Sequence, residues 1–235
     1  MSSSLTLARR FCGPPDSANG GYTAGTLARY LGGAAEVTLR RPPPLDRPLR
    51  VEEDDGRVTL RDGDDLIAEA DAVTFAIDVP PPVEPEVAEA ASLTSPFRDF
   101  AIHPFPTCFT CGPGRAAGDG LRLFPGRVPG TDVFAAVWAP DDVQDEIVWA
   151  ALDCPSGWAV DEFQREGVLL GRMAAAIHTR PEPGEAHVVI GWRVGEEGRK
   201  RFAGSAVFTG DGGLVAHSRS TWLVHATERD PAPEA

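Results

Sequence analysis

No stretch of this chain approaches the ~20 consecutive apolar residues that a membrane-spanning helix needs. Met1 to Arg10 holds no apolar core of signal-peptide length. A cytoplasmic location is therefore expected, where thiols stay reduced. Cysteine is scarce, and four in 235 residues do not make a disulfide scaffold. Positive charge is in deficit, with 22 basic against 35 acidic residues and a formal net charge of -13. Such a chain is repelled by phosphate backbones and anionic surfaces, so no nucleic-acid or membrane partner is expected. A Gly-x-Ser-x-Gly elbow is absent, which removes the usual signature of a serine hydrolase. Cys108-x-x-Cys111 has a zinc-like spacing, but Cys12, Cys154 and the histidines are scattered and supply no second ligand pair. No metal is expected; buried thiols in a loop turning at Gly112-Pro113 are.

What is present is a core. The hydrophobic fraction is 42%, and the 22 prolines and 25 glycines cluster between apolar runs as turn punctuation. Ser17-Ala-Asn-Gly-Gly suits a helix start. Tyr22, Ala24, Leu27, Ala28 and Leu31 then recur at helical spacing, and Gly32-Gly33 stops the helix. Strands are expected at 35–40, 49–52, 57–61 and 66–77, joined by acidic glycine turns. Residues 80–97 read as a linker with a helical turn over 86–91. Beyond it, 121–124 and 133–138 read as paired strands, and 147–163 as an apolar, partly helical segment interrupted by Pro155 and Gly157. Strands at 168–179, 187–194, 202–209 and 214–225 follow, and 227–235 reads as a disordered tail.

The same series thus occurs twice. Val58-Thr-Leu-Arg-Asp-Gly-Asp-Asp-Leu-Ile-Ala matches Ala206-Val-Phe-Thr-Gly-Asp-Gly-Gly-Leu-Val-Ala in pattern. An internal duplication is expected, with halves at 1–79 and 98–226.

Cys108-Phe-Thr-Cys-Gly-Pro-Gly followed by Gly118-Asp-Gly-Leu-Arg-Leu-Phe resembles the opening segment of phenylacetic-acid-type acyl-CoA thioesterases. Ala150-Ala-Leu-Asp-Cys-Pro-Ser-Gly is similar to the central helix of that family, and Asn19-Gly-Gly-Tyr to the His-Gly-Gly that opens it. The resemblance covers most of the chain. It implies an α+β hotdog fold, here a double hotdog in which two long helices face each other and two antiparallel sheets join into one.

In that family a helix-start glycine N–H polarises the thioester carbonyl, and a carboxylate on the partner helix is base or nucleophile. The chemistry is sound, since a helix N-terminus offers free N–H groups to an oxyanion and a carboxylate can activate water. The resemblance implies about seven residues from the second glycine to the acid. Counting on from Gly21 reaches Ala28, and counting back from Asp153 reaches Glu146. Each half keeps what the other has lost, so one composite site is expected: Gly20 and Gly21 facing Asp153.

Asn19 stands where the family often has His, and reads equally well as a plain N-cap. Gly20-Gly21 reads equally as a tight turn, and Asp153 as an acid bonded to nearby backbone. Tyr22 and Thr23 are expected to contact substrate, with Thr26 secondary, and Arg40 and Arg41 to meet the phosphates of CoA. CoA enters as part of the substrate, with no other cofactor. Arg199-Lys-Arg reads as solvated turn residues. The partner is a small acyl thioester, in a monomer or a homodimer of double hotdogs. A non-catalytic acyl-CoA or hydrophobic-ligand binder and a hydratase or dehydratase stay open as alternatives.

Overall fold

The computed structural model describes residues 2–160 and 168–224, with side chains from residue 3 onward. The expected tail at 227–235, His225 and the end of the 147–163 segment lie outside the described residues. The elements are β1 (Ser2–Thr6), α1 (Gly20–Ala28), β2 (Ala35–Leu39), β3 (Pro48–Asp54), β4 (Arg57–Asp62), β5 (Asp65–Ala72), α2 (Pro85–Leu93), β6 (Gly126–Arg127), β7 (Val133–Trp138), α3 (Asp145–Trp158), β8 (Val168–Ile177), β9 (His187–Glu197), β10 (Lys200–Thr209) and β11 (Leu214–Val224).

All strands belong to one 11-stranded sheet, ordered β1-β3-β4-β5-β2-β8-β11-β10-β9-β7-β6. Every pairing is antiparallel. The two halves meet where β2 pairs with β8, Ala35 opposite Ala175 and Val37 opposite Met173. Read outward from that seam, the order is the same on both sides: β2-β5-β4-β3-β1 one way and β8-β11-β10-β9-β7 the other. The hairpin turns fall where the acidic glycine pairs stand. Asp55 and Gly56 close β3 onto β4 with φ of 44 and 78°, the left-handed backbone that a tight two-residue hairpin requires.

Both long helices lie against the sheet and against each other. In α3 every residue from Glu146 to Trp158 is buried, as expected of a helix enclosed on all sides. α1 buries Thr23, Ala24 and Leu27 completely. Glycines let the two helices approach. A Cβ at Gly25 would lie 2.6 Å from the Glu146 Cα, and one at Gly21 would lie 2.5 Å from the Asp153 Cβ.

Several expectations need correction. Pro155 does not interrupt α3, which runs through it. Gly191 of β9 lets the sheet pack closely on this part of α3: a Cβ there would lie 2.0 Å from the Pro155 carbonyl oxygen, so sheet and helix backbones are in direct contact. The expected strand at 121–124 is irregular, and β6 lies at 126–127. The Leu121 and Leu123 amides donate instead to the Phe109 carbonyl and the Thr110 carbonyl, at 2.9 Å each, tying this stretch to the cysteine loop. The stretch read as a linker contains α2, two and a half turns of helix rather than one. Ala88 and Ala91 of α2 pack with Val188, Ile190 and Trp192 in a second apolar cluster. Ser2–Thr6, read only for the lack of a signal core, is an edge strand on β3. Among the described residues, no helix is long and apolar enough to cross a membrane.

Candidate active site

Asn19 is the N-cap of α1. Its side-chain oxygen accepts from the Tyr22 amide at 2.8 Å, satisfying one of the free donors of the first turn. That bond fixes the carboxamide, and its nitrogen then donates to Asp153 Oδ2 at 2.8 Å. The Gly21 amide donates to the same oxygen at 3.0 Å. Asp153 projects from the middle of α3, which the glycines of α1 allow to come this close. The residues read from sequence as a composite constellation, Asn19, Gly20, Gly21 and Asp153, are thus adjacent. Gly20 N–H makes no hydrogen bond among the described residues, so the helix N-terminus retains one free donor.

Asp153 is 2% exposed, and its Oδ1 has no hydrogen-bond partner among the described residues. Its surroundings push its pKa up from the ordinary carboxyl value of 3.8 to about 7. Burial is the main cause, and the nearby Cys108 sulfur adds to it, while the Gly21 and Asn19 donors oppose it. A carboxyl balanced near neutrality, with one oxygen held and the other unengaged, is suited to proton transfer. Asn19→Ala removes a donor to the ionised form, so the Asp153 pKa is expected to move further up. Loss of the cap should also cost about 1 kcal/mol. A carboxyl-carbon NMR titration checks the first effect, and an unchanged or lowered midpoint would contradict it.

Asn19, Gly20 and Asp153 line a cavity of about 500 Å³, within the usual range for small-molecule sites. Its walls are mainly apolar, with Leu39, Val168, Leu170, Phe105 and Trp222 among them. Arg40 and Arg41 also line it, and both are exposed. Each already has an acidic partner: Arg40 Nε donates to Glu69 at 2.8 Å, and Arg41 is 3.0 Å from Asp65.

Tyr22, Thr23 and Thr26 are not among the residues lining this cavity. The Tyr22 ring stacks on Phe11 with centroids 3.8 Å apart. The Thr23 hydroxyl donates to the Asn19 carbonyl at 2.9 Å, and that of Thr26 to the Tyr22 carbonyl at 2.8 Å. All three support α1. At the opposite end of the helix pair, Glu146 is held by Arg29 at 2.8 Å. Arg201, in the basic triplet at the β9–β10 turn, pairs with Glu196 at 3.3 Å.

Sequence reasoning set Cys154 apart from Cys108 and Cys111. The structure brings all three sulfurs together, buried and lining the same cavity. Hydrogen bonds from the Cys111 and Cys154 thiols hold the Cys108 pKa well below the usual thiol value, against the effect of its burial. His103 is buried nearby, with its ring edge toward Trp158 at 5.2 Å. Burial lowers its pKa, so it is neutral at physiological pH.

No protein-family model and no curated protein sequence matches the chain. Solved structures do. A conserved protein of unknown function with a hot dog fold from Alicyclobacillus acidocaldarius aligns with a TM-score of 0.65 at 11% identity, over 96% of this chain and 94% of the other. A tesB protein of Mycobacterium avium subs paratuberculosis aligns at 0.60 and 15% identity, over 96% and 93%. A putative thioesterase II from Thermobifida fusca aligns at 0.61 and 14% identity, over 96% and 92%. At such identities the likeness is one of fold, and it extends over nearly the whole of each chain. The sheet, the two enclosed helices and these alignments establish that the chain has the hotdog fold.

Proposed function

We propose that this protein is an acyl-CoA thioesterase-like hydrolase with a single composite active site between two hotdog halves. The observation that carries the reading is Asp153 Oδ2 meeting the Gly21 amide and Asn19 across the helix pair, at the wall of an apolar cavity. The mirrored strand order about the β2–β8 seam supports a fused double hotdog that arose by duplication. The neighbours named as thioesterases support the reaction class.

In this mechanism the acyl chain lies along the apolar wall, and its thioester carbonyl sits at the start of α1. The Gly20 N–H and the helix N-terminus stabilise the oxyanion. The ionised Asp153 takes a proton from the attacking water at Oδ1 while Oδ2 is held by Gly21 and Asn19. The C–S bond breaks and the CoA sulfur leaves with a proton. Arg40 and Arg41, re-pairing from Glu69 and Asp65, bind phosphate at the rim. The four free thiols suit a reducing compartment such as the cytoplasm. Because helix pairing is internal, the proposed site needs no second chain.

One observation favours the non-catalytic binder instead: Asp153 already occupies the Gly21 amide that would otherwise meet a carbonyl. Free CoA release from short, long and aromatic acyl-CoAs separates the two readings. Saturable hydrolysis of at least one class is expected. Thermal stabilisation by acyl-CoA with no hydrolysis of any class would establish the binder.

A further inference from the structure

We propose that Cys108, Cys111 and Cys154 form a zinc site with its fourth coordination position open to the cavity beside Asp153. Their three sulfurs lie within 4.8 Å of one another, and those of Cys108 and Cys154 are 3.8 Å apart. Tetrahedral zinc with Zn–S bonds of about 2.3 Å places its sulfurs about 3.8 Å from each other. A disulfide needs about 2.0 Å, so either thiol would have to move much further to form one than to share an ion.

The two segments that supply the thiols are separately fixed. Cys108 and Cys111 sit in a tight loop whose Gly112 amide donates to the Cys108 carbonyl at 2.9 Å. A Cβ at Gly112 would lie 2.5 Å from that carbonyl oxygen and 2.6 Å from the Cys108 nitrogen, so the loop folds back on itself only with glycine there. Cys154 comes from α3, and the Thr110 hydroxyl ties the loop to that helix through the Ala150 carbonyl at 3.0 Å.

A donor also faces the sulfur that must carry charge. Asn19 Nδ2 approaches Cys108 Sγ at 3.9 Å. Such N–H groups stabilise the thiolate that binds metal. Soft sulfur ligands select zinc or copper(I) over magnesium or calcium. All three residues line the cavity, so the fourth ligand would be a cavity water or a bound thiol. The balance is Zn²⁺ plus up to three thiols giving three Zn–S bonds and up to three protons, with no electron transfer. This site does not depend on the thioesterase reading, and its test does not use turnover.

Reduced, chelator-treated protein is titrated with cobalt(II) and then with zinc. One equivalent of cobalt is expected to give sulfur-to-metal charge transfer and the strong visible bands of a tetrahedral site. Zinc should bleach them, with proton release measurable in weak buffer. Cys111→Ser and Cys154→Ser should each weaken binding at least about a hundredfold, no less than loss of an outer-shell partner costs. Cys12→Ser should bind as wild type, because Cys12 stands outside the cluster. If the serine variants fail to fold, wild-type alkylation decides: stoichiometric zinc should protect all three thiols. Absence of stoichiometric binding, a weak octahedral cobalt spectrum, affinity retained in both folded serine variants, or no protection would each overturn the site.

Discussion

Asp153→Asn is expected to lower thioester turnover by about 10²–10⁴-fold, the usual contribution of a positioned general base. The substitution is nearly isosteric, and the asparagine oxygen can still accept from Gly21 and Asn19, so the hotdog fold should persist. In the wild type, kcat/KM should rise with pH through a midpoint near 7 as Asp153 ionises. That limb should vanish in the variant. The same ionisation makes a separate prediction about stability. A carboxyl with a folded pKa of about 7 and an unfolded one near 3.8 binds its proton more tightly when folded. Ionisation therefore destabilises the fold. The contribution of Asp153 to stability should fall as pH rises from about 4 to about 7 and then level off, so the stability of Asp153→Asn relative to the wild type should rise over that range. The full loss is about 4 kcal/mol. Asp153→Asn should remove this slope and be the more stable protein at pH 8. Denaturant unfolding at pH 4 and pH 8 measures it. A stability difference between variant and wild type that is the same at both pH values, or a variant with undiminished turnover, would contradict the role given to this carboxyl.

The parts legible in the sequence are those set by neighbours along the chain. Asp55-Gly56 and Gly63 write their own hairpins, since left-handed backbone is demanded within two residues. Asn19 before two glycines reads as a cap because the capping bond spans only to Tyr22. The acid-glycine complement between the halves was legible only through the family resemblance, which implies the seven-residue offset at which Ala28 and Glu146 stand.

What sequence missed depends on distant packing. Pro155 looks like a helix breaker, yet α3 runs through it, buried with the β9 backbone at Gly191 against its carbonyl, a contact that no local pattern announces. The segment at 121–124 looks like a strand by its alternation, yet its amides are taken by Phe109 and Thr110. The third thiol lies 43 or more residues from the other two along the chain, so no local spacing reveals it. Tyr22 and Thr23 sit beside the right glycines but on sides of α1 turned toward Phe11 and the buried core. Proximity in sequence suggested contact with substrate, where helical geometry directs them elsewhere.

Gly21→Ala is expected to damage stability and turnover together, and more than Gly20→Ala does. Alanine ordinarily favours a helix over glycine by about 1 kcal/mol. Here the added Cβ would lie 2.5 Å from the Asp153 Cβ and 2.6 Å from the Trp149 carbonyl oxygen. Both belong to the body of α3, so relief requires the two helices to move apart. Overpacking of that kind costs about 1–3 kcal/mol or more, and it should outweigh the propensity gain. Separation would also lengthen the Gly21–Asp153 hydrogen bond, removing one of the two donors that favour the ionised carboxyl. Its pKa should rise further, carrying the activity limb to higher pH. At Gly20 the nearest obstacles, at 2.9 to 3.1 Å, are side-chain atoms of Leu170 and Leu39, which can rotate or shift. Gly20→Ala should therefore stay near wild type in denaturant midpoint, with its main effect on substrate fit at the cavity wall. If Gly21→Ala proves as stable as wild type with an unmoved activity limb, the close approach of α1 and α3 is not what holds Asp153 in place.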